Sequence, residues 1–116
     1  MLGTMDFRDL NALHTAHDLT IEIYDISQAF PTDNQFTLGK SICATALEIP
    51  ACLAEGCGQK DDNALNLAIY KASGLTYRLE YLILLAGQVG IIDEETLVDL
   101  TQLLETLKTT LSEPVK

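Results

Sequence analysis

Residues 62–87 read DNALNLAIYKASGLTYRLEYLILLAG, and their spacing decides the fold class. Leu65, Ala68, Ala72, Leu75, Leu79, Leu82 and Ala86 recur at steps of three and four, with Ile69 and Ile83 widening the stripe. That period is one face of an α-helix, and a strand, whose side chains alternate every second residue, does not produce it. Gly74 sits in the middle of the run, where glycine costs about 1 kcal/mol relative to alanine, so close packing of helix on helix is expected there. Gly87 and Gly90 are expected to stop the helix.

Working outward, the same pattern repeats three more times. Downstream, Leu97, Leu100, Leu104, Leu107 and Leu111 keep strict a/d spacing over 93–112. Asp93 is a suitable N-cap for that segment, and Glu94 and Glu95 fall in its first turn, where the helix dipole favours anions. Upstream, Ile42, Ala46, Ile49, Leu53 and Cys57 form a stripe over 38–57. Pro50 lies inside that stripe and removes a backbone donor, which predicts a kink or break. Gly56 and Gly58 are expected to end the segment, with Gln59 to Asn63 as the turn. The first segment, 7–29, carries Ala16, Leu19, Ile23, Ile26 and Phe30 on one face, and Pro31 closes it. Pro114 closes the chain.

Four amphipathic helices joined by short loops pack most simply as an all-α, antiparallel up-down-up-down four-helix bundle. At 116 residues the chain is the size of one domain, 1–116, and it buries enough surface to fold without disulfides or metals. No run of apolar residues approaches the ~20 that a membrane span requires. No secretory signal is visible at the start, and three cysteines, Cys43, Cys52 and Cys57, fit a reducing cytoplasm in which thiols act as small hydrophobes.

Seven Lys and Arg against seventeen Asp and Glu give a formal charge of −10. Such a surface repels phosphate and anionic membranes, and it argues against nucleic-acid affinity, which comes largely from cations displacing counterions.

The residues that could carry chemistry do not assemble into a known constellation. His14 and His17 share a helix face with Asp18 nearby, but no further histidine exists to complete a metal site. No Glu-x-x-His pair occurs, which opposes a di-iron bundle. Cys52 and Cys57 are five apart rather than in a Cys-x-x-Cys arrangement, and buried structural thiols are their expected role. Glu48, Glu55 and Glu80 lie in or beside apolar stripes, where burial raises a carboxyl pKa, or where they serve as hydrogen-bonded structural glutamates. Lys71 and Arg78 are positioned to pair with acidic groups of a neighbouring helix or subunit. No catalytic residue, metal or cofactor is expected. The apolar stripes are wider than a bundle core requires, and Leu47, Leu67, Tyr70, Tyr77, Arg78 and Tyr81 are the expected self-association surface.

Phe7-Arg8-Asp9-Leu10, Ile23-Tyr24 and Phe30-Pro31 resemble the opening of the four-helix-bundle family that includes proteins encoded in intervening sequences of 23S ribosomal RNA genes. The most specific stretch, Ile49-Pro50-Ala51-Cys52-Leu53-Ala54-Glu55-Gly56-Cys57-Gly58, is similar to that family's Ser-Ile-Pro-Ala-Asn-Ile-Ala-Glu-Gly-x-Gly signature. Ala72-Ser73-Gly74 through Leu79-Glu80 is similar to its Ala-Arg-Gly-Ser…Leu-Glu element. The resemblance carries Ile49, Pro50, Ala54, Glu55, Gly56, Gly58, Gly74 and Glu80 as fold and oligomer residues. The family also includes the accessory variability determinant of diversity-generating retroelements, a barrel-shaped homopentamer that binds nucleic acid and a reverse transcriptase. A homopentamer is therefore what the resemblance implies, with an RNA-linked accessory role as the alternative.

The departures bear on that alternative. The family usually carries Arg at the positions of Cys43 and Ala44, Asn at Cys52, Arg at Gln59 and Glu at Arg78. Basic groups are thus missing where phosphate would be met, and five copies at −10 each would carry −50. The sequence points to a non-enzymatic homo-oligomeric scaffold or adaptor with a protein partner, ahead of a nucleic-acid-associated accessory protein binding RNA or a reverse transcriptase.

Overall fold

The computed structural model describes residues 10–31 and 36–113. They form four helices: α1 (Asn11–Ser27), α2 (Phe36–Gly58), α3 (Asp62–Gln88) and α4 (Glu94–Ser112). The expected opening turns at Phe7, Arg8 and Asp9, the loop after Pro31 and the closing Pro114 lie outside the described residues. Contacts join α1 to α2, α2 to α3, α3 to α4 and α4 back to α1, and among the described residues no diagonal pair touches. That cycle is the antiparallel up-down-up-down bundle, 46 × 22 × 19 Å in extent.

The stripes read from the sequence form the core. Ala16, Leu19 and Ile23 of α1 meet Ile42, Ala46, Ile49, Leu53 and Cys57 of α2. From the other side come Leu65, Ala72, Leu75, Leu79, Ile83 and Ala86 of α3, and Leu100, Leu104, Leu107 and Leu111 of α4. Ile26, Phe30, Leu82 and Leu97 pack at the margins. Thr45 and Thr76 are buried polar residues among the described ones; Thr76 is fully buried, and its hydroxyl donates to the Ala72 carbonyl at 2.8 Å.

The helix ends depart from the sequence reading in two places. Gly87 lies within α3, its missing Cβ making room for Leu97, whose Cδ2 would sit 3.0 Å from an added methyl. The stop is made by Gly90 at φ +85°: the Ile91 N–H donates to the Ala86 carbonyl at 2.9 Å and the Gly90 N–H to Gly87. This is a Schellman closure, which needs a left-handed residue that only glycine adopts without strain. Gly56 likewise does not end α2. It is a buried helical residue, and the helix ends at Gly58, followed by Lys60 in the left-handed region.

Pro50 produces no break either; α2 runs straight through it in sequence. A proline at that position leaves the carbonyl four residues earlier, that of Ala46, without its helical amide donor. The hydroxyl of Thr20 on α1 reaches that carbonyl at 3.0 Å, while also lying 2.7 Å from the Ala16 carbonyl of its own helix. Ala16 already receives an amide within α1, so the hydroxyl proton does more on Ala46. The neighbouring helix thereby supplies the donor that proline lacks.

Asp93 caps α4 as expected, its Oδ1 accepting the Thr96 N–H at 2.8 Å. Hydrogen bonds from Thr96, side chain and then backbone, hold the Asp93 carboxyl below its ordinary value. A group depressed in the folded state contributes stability above its unfolded pKa, and the contribution is lost as pH falls through the folded value. Asp93→Ala is therefore expected to lower the melting temperature at neutral pH, by a gap that closes once the carboxyl is protonated in strongly acidic buffer. Thermal unfolding followed by circular dichroism at both pH values checks this. A gap that persists in acid would mean the loss is not that of the charged cap.

Candidate functional site

The outward face of α3 is the most unusual surface of the molecule. Leu67, Tyr70, Gly74, Tyr77, Tyr81 and Leu84 follow one another at steps of three, four, three, four and three, so they stand in one row along the helix. All are exposed, the large side chains from 49 % for Leu84 to 81 % for Tyr70. A second apolar seam, as regular as the buried one, thus runs down the opposite side of α3. Single exposed hydrophobes are ordinary, but a continuous row of this kind is not.

Gly74 occupies the middle of that row and supports no packing within the chain: nothing lies within 4 Å of an added Cβ. The expected helix-on-helix contact at Gly74 is absent from the single bundle because the residue points away from it. Gly74→Ala is accordingly expected to add about 0.5–1 kcal/mol to the stability of the single chain, through helix propensity alone. Urea unfolding at dilution measures it, and a loss of stability would contradict the open position.

Lys108 of α4 fixes one edge of the ridge. Its ammonium lies 2.8 Å from Glu80 Oε2 and 2.9 Å from Glu105 Oε2, and 4.8 Å over the Tyr77 ring. Hydrogen bonding to Glu80, then to Glu105, raises the Lys108 pKa. Glu80 is therefore a structural carboxylate tying α3 to α4. Glu48 and Glu55 are exposed on α2, and Lys71 and Arg78 are exposed on α3 beside the ridge.

Charge divides the bundle. α1 carries Asp18, Glu22 and Asp25 with no Lys or Arg, and α4 carries Glu94, Glu95, Asp99 and Glu105 against Lys108 alone. In contrast, α2 and α3 balance Lys40, Lys71 and Arg78 against Glu48, Glu55, Asp62 and Glu80. The apolar ridge thus stands on the nearly neutral half, where apposing two copies brings little like-charge repulsion.

A groove opens between α1 and α2, about 430 Å³ in volume, lined by Tyr24, Phe30, Gly39, Cys43, Ala44 and Leu47 among others. The Phe30 ring covers Gly39 so closely that an added Cβ would lie 2.9 Å from its Cδ2. Leu47, expected in the interface, borders this groove rather than the α3 ridge.

Of the remaining family-motif residues, Ile49 and Gly56 are the buried ones, and they serve packing. Gly56 lets α2 approach α3: its Cβ would fall 2.4 Å from that of Ala68. Ile49 is buried, Ala54 half-buried, and Gly58 exposed with open space around it. Cys52 lies at the same crossing, its Sγ 3.7 Å from the Ala68 carbonyl, and burial pushes its thiol pKa up. No disulfide joins Cys43, Cys52 and Cys57. His14, His17 and Asp18 are all exposed on α1, and among the described residues no three His, Cys, Asp or Glu side chains gather as a metal site. No described helix is long and apolar enough to cross a membrane.

Sequence reasoning found Leu67, Tyr70, Tyr77 and Tyr81 but missed Leu84, the place of Gly74 in the row, and the groove. The row was visible as a second three-and-four period offset from the core stripe. The groove depends on how α1 and α2 dock, which spacing alone does not give.

No curated protein matches this chain. The family described as 23S rRNA-intervening sequence protein matches residues 8–113, a span that holds all four helices, the Thr20–Pro50 pair and the Gly56 crossing. A match over nearly the whole bundle leaves one assignment: the chain belongs to the 23S rRNA-intervening sequence protein family.

Proposed function

We propose that this protein is a non-enzymatic scaffold that assembles with copies of itself through the α3 ridge and offers the assembly to a protein partner. The observation that carries the reading is the exposed row Leu67, Tyr70, Gly74, Tyr77, Tyr81 and Leu84 on the nearly neutral half of the bundle. Aromatic side chains are the residues that contribute most when buried between proteins, and tyrosine tolerates exposure before assembly. A ring of five is the form implied by the family resemblance. In such a ring the acidic α1 and α4 surfaces keep the assembly soluble and oppose phosphate backbones.

Light scattering coupled to size exclusion tests this directly. The expected mass at micromolar concentration is close to five times the 12.7 kDa chain, unchanged by added single-stranded RNA. A lone 12.7 kDa species would sink the scaffold reading. A mass that rises with RNA, and falls back steeply with salt, would replace the protein partner by a nucleic acid.

A further inference from the structure

We infer that Lys108 is a positioning residue of the ridge: from α4 it holds the Tyr77 ring in one orientation, so that the centre of the ridge is set before anything docks on it. The role rests on the self-association proposed above and falls to a residue outside the exposed row.

Tyr77 stands in the middle of that row, with Leu67, Tyr70 and Gly74 before it and Tyr81 and Leu84 after it. The centre of a contact between proteins is where most of the binding energy gathers. A side chain that has to be immobilised on contact weakens that contact about two- to tenfold. Exposed side chains exchange rotamers freely. Tyr77 is restrained instead, because the Lys108 ammonium lies 4.8 Å from its ring centroid, within the range at which a cation is attracted to an aromatic face.

The cation is itself fixed. A lysine on its own is a poor anchor, since its four-carbon stem is flexible and its ammonium strongly hydrated. Here the ammonium lies 2.8 Å from Glu80 Oε2 and 2.9 Å from Glu105 Oε2. Glu80 comes from α3, one turn beyond Tyr77, and Glu105 from α4, one turn before Lys108. The Lys108 side chain is only 20 % exposed, and Leu104 and Leu111, one turn to either side of it, belong to the core. The two carboxylates raise the Lys108 pKa, so the ammonium stays charged at neutral pH. Ion pairs left this open to water add little to stability. What this pair of bonds does is hold a cation in place over one ring, and that ring is the middle of the ridge.

Sedimentation of the full chain over a concentration series tests the role, with near-ultraviolet dichroism read at the dilute end. Lys108→Met keeps the stem and removes the charge, whereas Lys108→Arg keeps both. Lys108→Met is expected to weaken association about two- to tenfold per contact. It should also lose the tyrosine dichroism that Tyr77→Leu loses, with the far-ultraviolet spectrum unchanged, and Lys108→Arg should restore both readouts. In a Tyr77→Leu background Lys108→Met should cost no further association, because the ring it positions is gone. Glu80→Gln, which loosens the hold on the ammonium from the α3 side, should move both readouts in the same direction, and it stands in if Lys108→Met loses helix. A Lys108→Met chain that melts lower but keeps its association and its tyrosine signal overturns the positioning role and leaves a tie between helices. An equal loss with and without Tyr77 also overturns it, since Lys108 would then act through its charge alone. A wild-type chain that stays single at every concentration removes the self-association reading itself.

Discussion

Gly56→Ala is expected to destabilise the protein by about 1–3 kcal/mol, although alanine is the better helix former by about 1 kcal/mol. The new methyl would lie 2.4 Å from the Ala68 Cβ, with the Ala64 carbonyl oxygen at 3.4 Å and the Leu65 Cα at 3.5 Å. None of these atoms is the tip of a flexible side chain. Relief therefore requires α2 and α3 to move apart, and the whole crossing loses contact. Ala68→Gly should rescue the variant, because it removes the opposing methyl and leaves the number of helical glycines unchanged. The pair is expected to fall within about 1 kcal/mol of wild type, given the shared helix-propensity terms. Urea unfolding of the two single variants and the double variant decides the matter. Equal losses in Gly56→Ala with and without Ala68→Gly would show that the crossing is not where the clash lies. Gly74→Ala is the internal control, since the same chemical change in open space is expected to stabilise.

The second large effect is expected at Thr20. Thr20→Val keeps the shape of the side chain and removes the hydroxyl, leaving the Ala46 carbonyl with neither an amide from Pro50 nor a donor from α1. Ala46 is 1 % exposed, so water does not readily replace the lost partner. An unsatisfied buried acceptor costs about 1–3 kcal/mol. The decisive measurement is the cycle with Pro50→Ala, which restores an amide at position 50. In that background Thr20→Val should cost less than in the wild type, and the difference is the coupling between the two residues. Identical costs in both backgrounds would mean that the hydroxyl serves its own helix through the Ala16 carbonyl rather than α2.

These two sites show where the sequence was legible and where it was not. The four stripes were readable because burial on one helix face imposes a period that survives any detail of packing; Leu100, Leu104, Leu107 and Leu111 lie inward as their spacing requires. Pro50 was readable as a liability, but its compensation was not. Thr20 is thirty residues away, and only the docking of α1 on α2 brings the hydroxyl to the freed carbonyl. Gly56 read as a helix stop for a related reason. Glycine ends helices and also lets helices touch, and the choice between the two is made by Ala68, a neighbour in space rather than in sequence. The ridge was half legible. Its tyrosines stood off the core stripe, yet the glycine among them reads as internal packing until the neighbouring helices are placed.

The placement of the tyrosines has a consequence for spectroscopy. The chain has no tryptophan, and its four tyrosines are Tyr24, Tyr70, Tyr77 and Tyr81. All four are exposed in the single bundle, three on the ridge and the fourth beside the groove. Apart from the Tyr77 ring under Lys108 and the Phe30 ring against the core, ultraviolet emission and near-ultraviolet dichroism of this protein therefore report little of the melting of its leucine-rich core. They respond instead to whatever covers the phenol rings, so the native chromophores act as a built-in reporter of docking, with far-ultraviolet dichroism left to report on the helices.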